Sequence, residues 1–156
     1  MAYWRWDPAY SVGIAVIDEQ HKRIIEYINE LNKATLYQDN RSVNSVLLHL
    51  VDYTISHFSF EESLMEEANY TMLEAHKKVH QSFIQRIEFF KERYNNGEDI
   101  TKQLMNELQM WLINHIQHED TDYTYTVKKM LAKKEIIPSE NSNNKWLKGL
   151  ISKFFK

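Results

Sequence analysis

Residues 71–97 read TMLEAHKKVHQSFIQRIEFFKERYNNG, and this stretch decides the fold class. Phe83, Ile87, Phe90 and Tyr94 recur at steps of three and four, the beat of one helix face. Thr71 followed by Glu74 has the form of a capping box at the start. Asn95-Asn96-Gly97 is a stop signal at the end. Followed towards the N-terminus at the same spacing, the apolar stripe does not stop at Phe83 but passes through His80 and His76.

The flanking segments keep the same beat. A first helix is predicted from about Asp18 to Gln38, with Ile24, Ile25, Ile28, Leu31 and Thr35 on one side. Asp39-Asn40-Arg41-Ser42 interrupts it, and Ser42 is read as the cap of a second helix running to about Ala68. That helix carries Val43, Val46, Leu47, Leu50, Thr54 and Phe58. A fourth, capped by Asp99, holds Leu104, Leu108, Trp111 and Leu112 and continues to about Asp120. A short fifth segment around Tyr123–Lys133 is expected to pack across one end, with Pro138 ending it. Short connections between helices of about 20 residues make antiparallel neighbours. The expectation is all-α: an up-down-up-down antiparallel four-helix bundle over residues 1–135, with an N-terminal arm and a C-terminal amphipathic helical tail. The arm, Tyr3-Trp4-Arg5-Trp6-Asp7-Pro8, is read as covering a core edge, and residues 136–156 as linker and tail.

Composition narrows the classes. The chain has 156 residues, 43% hydrophobic and 26% charged, enough to bury one core. Only 3 Gly and 2 Pro argue against a many-stranded β fold. Cysteine is absent, which excludes disulfides, thiolate metal sites and Cys nucleophiles. No apolar run spans a membrane and no signal-peptide plan opens the chain, so the sequence reads as cytoplasmic. The net charge is −3, but residues 136–156 hold four Lys and one Glu, leaving the rest acidic. An acidic body is a poor partner for nucleic acid.

The informative residues are those that interrupt the apolar stripes. His21 precedes Ile24 and Ile28 by three and seven. His57 and Glu61 continue the stripe of Leu50 and Thr54, and His115 follows Leu108, Trp111 and Leu112. Each helix therefore points at least one His inward. An unpaired buried polar group costs about 1–3 kcal/mol, so five His and a carboxylate need a common compensation. In an antiparallel bundle the starts of helices one and three adjoin the ends of two and four, and all six groups fall at that level. Imidazole with carboxylate and no thiolate suits Fe, Zn, Cu or Ni rather than Mg or Ca. The set exceeds one tetrahedral zinc and suits two octahedral irons. His76 and His80 stand four apart without the Glu after His76 that zinc proteases need. No Glu stands three before any His, which counts against the carboxylate-rich di-iron enzymes.

Four segments together resemble the hemerythrin family in its single-domain bacterial form. They are Val12-Gly13-Ile14-Ala15-Val16-Ile17-Asp18-Glu19-Gln20-His21, His57-Phe58-Ser59-Phe60-Glu61-Glu62, His76-Lys77-Lys78-Val79-His80 and Trp111-Leu112-Ile113-Asn114-His115-Ile116-Gln117-His118-Glu119-Asp120. The resemblance implies a non-haem centre of two Fe ions, oxo- or hydroxo-bridged, that binds O2 reversibly. Its terminal ligands would be His21, His57, His76, His80 and His115, with Glu61 and Asp120 bridging. Asp120 comes from the family pattern alone: five residues after His115, it stands about 140° round an ideal helix, and implies a local distortion there. The implied chemistry takes one electron from each iron and the proton of the bridge, holding O2 as an iron-bound hydroperoxide. The dry O2 pocket would fall to Ile24, Phe58, Trp111, Leu112 and Ile116, whose other reading is ordinary core packing.

His49 lies about 12 Å along the helix from His57 and is read as structural or exposed, and His118 as a neighbour of the site. The tail Lys145–Lys156 puts Trp146, Leu147, Leu150, Ile151, Phe154 and Phe155 on one face, with lysines around the other. Three readings stand: peripheral docking at an anionic inner-membrane surface, a targeting peptide for a protein partner, or folding back onto the bundle. The expected function is O2 storage, delivery or sensing rather than catalysis. The alternative is a di-iron redox enzyme on the same centre, peroxidase, NO-handling or oxidase-like. A third class is an iron-storage or signalling module.

Overall fold

The computed structural model describes residues 3–37, 39–116, 120–140 and 144–155, with the side chains of Asn40, Asp120, Thr121 and Asp122 outside that description. Among the described residues every regular element is helical: α1 (Ala15–Leu36), α2 (Asn40–Glu67), α3 (Leu73–Asn95), α4 (Thr101–Asn114), α5 (Asp120–Lys133) and α6 (Lys145–Phe154), with one 3-10 turn at Pro8–Tyr10. Helix α1 packs on α2 and α4, and α3 on α2 and α4, so the four longest apolar stripes close on one another. Ile24, Ile28 and Leu31 meet Leu47, Leu50 and Phe58, with Phe83, Ile87, Phe90, Leu104, Leu108 and Leu112 filling the rest of a continuous core.

The helix starts differ from the sequence expectation, each for a local reason. Helix α1 begins at Ala15, before Asp18, because the Asp18 carboxylate is used to hold the incoming chain. It accepts from the Ser11 hydroxyl at 2.6 Å and the Val12 N–H at 2.9 Å. The Ala15 N–H donates to the Pro138 carbonyl at 2.7 Å, so the chain after α5 closes this end. Gln38, its expected end, lies outside the described residues. Asp39, not Ser42, caps α2: its carboxylate accepts from the N–H groups of Arg41 and Ser42, and the Ser42 hydroxyl donates back to it at 2.7 Å.

The Thr71–Glu74 box does not form. The chain turns over Asn69 in the left-handed region, at φ 55°, and α3 starts after Met72 with no side-chain cap. Asp99 likewise does not cap α4; it accepts the Thr101 hydroxyl at 3.0 Å, while buried Ile100 precedes the helix.

The fourth segment departs most. Helix α4 ends at Asn114, and His115 and Ile116 occupy a wider π-type turn. Helix α5 does not cross the end of the bundle. It lies along the last part of α2 in the same direction, with Tyr123 on Glu61 and the Lys134 ammonium 2.9 Å from Glu67.

The described residues at both ends of the chain, from Tyr3 and up to Phe155, lie on the bundle. Trp4 is buried, and its N–H and carbonyl are held by the Asn29 side chain at 2.9 and 2.8 Å. That agrees with an arm covering a core edge. Helix α6 is capped by Asn144, whose side chain accepts the Leu147 N–H at 3.1 Å. Of its apolar face, Leu147 is buried, while Trp146, Leu150, Ile151, Phe154 and Phe155 are half-buried against the core. Phe155 meets Tyr53 and Phe60 of α2 at ring distances of 5.1 and 5.9 Å, and the Lys134 ammonium sits 4.4 Å from the Trp146 ring. The apolar face is thus turned to the bundle, with Lys145, Lys148 and Lys153 exposed. Residues 141–143 of the linker, and Lys156, lie outside the described residues. Among the described residues no helix is long and apolar enough to cross a membrane.

Leu147 is the one fully covered side chain of α6, so a charge there cannot be kept without undocking the helix. Leu147→Asp is expected to release α6, read as faster proteolysis between residues 138 and 145 and a red shift of Trp146 emission. The helical signal of residues 15–133 should be retained. Proteolysis at the parent rate would mean that Leu147 does not hold the tail.

Candidate metal centre

His21 faces inward from the second turn of α1. His57 and Glu61 stand one turn apart near the end of α2, as do His76 and His80 near the start of α3. His115 comes from the π-type turn after α4. The four segments meet at one level because α1 and α3 enter where α2 and α4 leave. All six side chains are buried, His21, His57 and Glu61 completely so at 0% exposure.

Glu61 is at the centre. Its Oε1 lies 3.2 Å from His57 Nε2, 3.5 Å from His80 Nε2 and 3.6 Å from His115 Nε2. Two groups of potential donors share it: Glu61 with His76, His80 and His115, and Glu61 with His21 and His57. Within each group the donor atoms lie no more than 4.8 Å apart. The ring centroids of His21 and His57 are 4.8 Å apart, and those of His76 and His80 are 4.5 Å apart.

The outer edges of two rings are fixed. His57 Nδ1 is 2.6 Å from Gln20 Oε1, and His80 Nδ1 is 2.8 Å from Glu62 Oε2. Both acceptors require the proton on Nδ1, which leaves each Nε2 lone pair facing the centre. The Tyr123 hydroxyl donates to Glu61 Oε2 at 2.5 Å, turning Oε1 to the imidazoles.

Burial and neighbouring groups shift two members of the cluster, His21 and Glu61. Burial strips the His21 imidazolium of its hydration, and neighbouring His57 repels it, so its pKa falls well below 6.5 and the ring stays neutral. Burial alone would raise the Glu61 pKa, but His57 and His115 outweigh it and hold the carboxyl well below 4.5. Neutral imidazole and ionised carboxylate are the forms that bind metal.

Both ring nitrogens of His21, the Nε2 atoms of His57 and His80, and Glu61 Oε1 are buried without a hydrogen-bond partner. Orphaned groups of this kind cost about 1–3 kcal/mol each. A cation taking their lone pairs removes the cost at all of them together. Nitrogen donors with a shared carboxylate suit iron or zinc, so the residues present fit a metal centre.

Aromatic rings wall the cluster. Phe58 stacks on His80 at 3.9 Å, and Trp111 stacks on His115 at 4.5 Å and on Phe83 at 3.8 Å. Ile24, Phe58, Leu112 and Ile116 are buried and Trp111 is half-buried. The structure thus brings His21, His57, Glu61, His76, His80 and His115 together. The side chain of Asp120 lies outside the described residues, as does His118. His49 is exposed, beside Tyr27 at a ring distance of 6.5 Å. Sequence reasoning missed Gln20, Glu62 and Tyr123. The first two adjoin His21 and Glu61 in the chain and could have been found as second partners of the rings. Tyr123 could not, because its place depends on how α5 lies.

The family model of the hemerythrin HHE cation binding domain matches residues 12–125. Bacteriohemerythrin of Pseudomonas aeruginosa (strain PAO1 among others) is 40% identical, and that of Stenotrophomonas maltophilia (strain R551-3) is 42% identical. Each alignment covers 99% of both chains, so it takes in α6, which the family model does not reach. A hemerythrin-like protein of Naegleria gruberi is 32% identical over 77% of this chain and 90% of its own. The crystal structure of wild-type hemerythrin superposes with a TM-score of 0.75 at 25% identity, covering 81% of this chain and 98% of that one. Every residue of the cluster falls inside the stretch the family model matches, and the bacterial relatives leave almost nothing of either chain over: the chain belongs to the hemerythrin family.

Proposed function

We propose that the chain binds O2 reversibly at a non-haem di-iron centre, for storage, delivery or sensing. The observation that carries this reading is the set of buried, unpartnered donors on His21, His57, His80 and Glu61, arranged as two groups about one carboxylate. The choice of iron and of O2 comes from the family. In this reading residues 1–135 form an up-down-up-down antiparallel bundle, and residues 136–156 are a linker and tail folded onto it.

His76, His80 and His115 would hold one iron and His21 and His57 the other, with Glu61 and Asp120 bridging. Two ferrous ions, when bound, supply the electrons on which reversible O2 binding depends. The residues do the rest. The group with fewer protein donors, His21 and His57, leaves room for a small ligand. Gln20 and Glu62 keep the Nδ1 protons in place, so His57 and His80 present lone pairs without rearrangement. Tyr123 holds the Glu61 carboxylate in one orientation.

Ile24, Phe58, Trp111, Leu112 and Ile116 would exclude water. A dry surround disfavours the separation of charge, so neutral O2 leaves more readily than any anion derived from it. The absence of Glu-x-x-His pairs from the sequence supports a carrier over an oxidase-like enzyme.

Anaerobic loading with Fe(II) is expected to give two irons per chain. Air should then bring up an absorption band that disappears on deoxygenation, through repeated cycles. Fewer than two metals, a band that persists, or steady turnover of a co-substrate would overturn the carrier reading.

Leu112 is 2% exposed, and Leu112→Ala is expected to cost about 2–5 kcal/mol of stability and to admit water. Autoxidation of the loaded protein, followed well below its melting temperature, should quicken several-fold. An unchanged rate would remove Leu112 from the pocket.

A further inference from the structure

The two donor groups share Glu61, yet their outer partners differ in charge. His57 Nδ1 donates to the amide oxygen of Gln20 at 2.6 Å, and His80 Nδ1 donates to the carboxylate of Glu62 at 2.8 Å. Gln20 is 5% exposed, in a place where an ionised side chain would lose its hydration. The Glu62 side chain is 23% exposed, so it reaches the ring while its charge remains partly in water. An anion accepting the Nδ1 proton draws that proton outward and enriches the opposite nitrogen, raising the basicity of the imidazole as a ligand. A neutral amide fixes the tautomer but enriches the nitrogen less. His80 stands in the group with His76 and His115, so the group richer in donors also has the anionic support.

We infer that Glu62 is a positioning residue which, through His80, makes the Glu61–His76–His80–His115 position the tighter of two metal positions, while Gln20 leaves the His21–His57 position the looser. The inference rests on the reading of the cluster as a two-metal centre. The consequence is an ordered centre: one metal held as an anchor, the other held loosely enough to exchange ligands. The device lies in a single pair of side chains, an acid and an amide, placed on equivalent outer edges.

Cobalt(II) added to the metal-free full-length chain tests this, because its visible absorption reports each binding step. The parent should take up two ions with separable constants. Glu62→Gln keeps the shape and an acceptor for Nδ1 and removes only the charge. It is expected to weaken the tighter step by about tenfold or more, with the looser step within twofold and the metal-free melting temperature unchanged. Glu62→Asp, which keeps the charge, should remain within threefold of the parent at both steps.

Equal weakening of both steps, no change at either, weakening of the looser step alone, or an Asp variant as weak as the Gln variant would overturn the role of Glu62. The two-metal reading would survive each of those results. A parent chain that takes up fewer than two ions would instead overturn the two-metal reading, and the inference with it.

Discussion

One buried carboxylate holds the centre together. Glu61 is fully enclosed, with three imidazole Nε2 atoms within 3.6 Å of a single oxygen. A charge in that position is tolerable only beside groups that favour the ionised form. It is also useful only if the helices that bring those groups cannot drift. The requirement reaches outward: His57 is on the same helix one turn away, His80 and His115 arrive from α3 and from the turn after α4, and the Tyr123 hydroxyl of α5 takes the second oxygen. Four helical elements are thereby tied to one side chain. The aromatic stacks of Phe58 on His80 and Trp111 on His115 seal the same contacts from the apolar side.

A cluster of this kind is a stability liability that the remaining core has to offset. Several donors are left without hydrogen bonds, and such groups favour unfolding unless something takes their lone pairs. The compensation is distributed. Long stripes of Ile, Leu and Phe fill the bundle away from the cluster, the arm is tied to α1 through Asn29, and Phe155, just after α6, packs on Tyr53 and Phe60 on the flank of α2. Phe60 immediately precedes Glu61, so the tail braces the turn of α2 that presents the central carboxylate. Tyr53 is half-buried there, and that burial pushes the pKa of its phenol up to about 12.

The apolar stripes were legible because a helix buried on one side writes its period into the sequence. Ile24, Ile28, Leu50, Phe58, Phe83, Ile87, Leu104 and Leu108 were all expected on the inner faces, and all are buried. His21, His57, Glu61, His76, His80 and His115 were legible for the same reason, as polar residues at apolar positions. The caps were not, since several Ser, Thr and Asp residues at each junction can serve and only the path of the chain selects among them. Asp99 is an example: it accepts the hydroxyl of Thr101 instead of a helix N–H. Gln20 and Glu62, the second partners of the rings, act sideways across helices, so periodicity does not report them and only their places beside His21 and Glu61 in the chain point to them.

The segment after Asn114 shows where periodicity itself gives out. An ideal helix separates residues five apart by about 140°, which would send His115 and Asp120 to different sides. A wider turn takes up one extra residue before the helix resumes. His115 and Ile116 lie in such a turn. π-type turns are rare in helices, so local propensity is not what maintains this one. The stack of His115 on Trp111 and its approach to Glu61 hold the near side, and burial of Tyr123 and Val127 against the core fixes α5 beyond it. The irregular turn is therefore a consequence of what both flanks must reach, and this is why a reading based on a uniform helical beat ran straight through it.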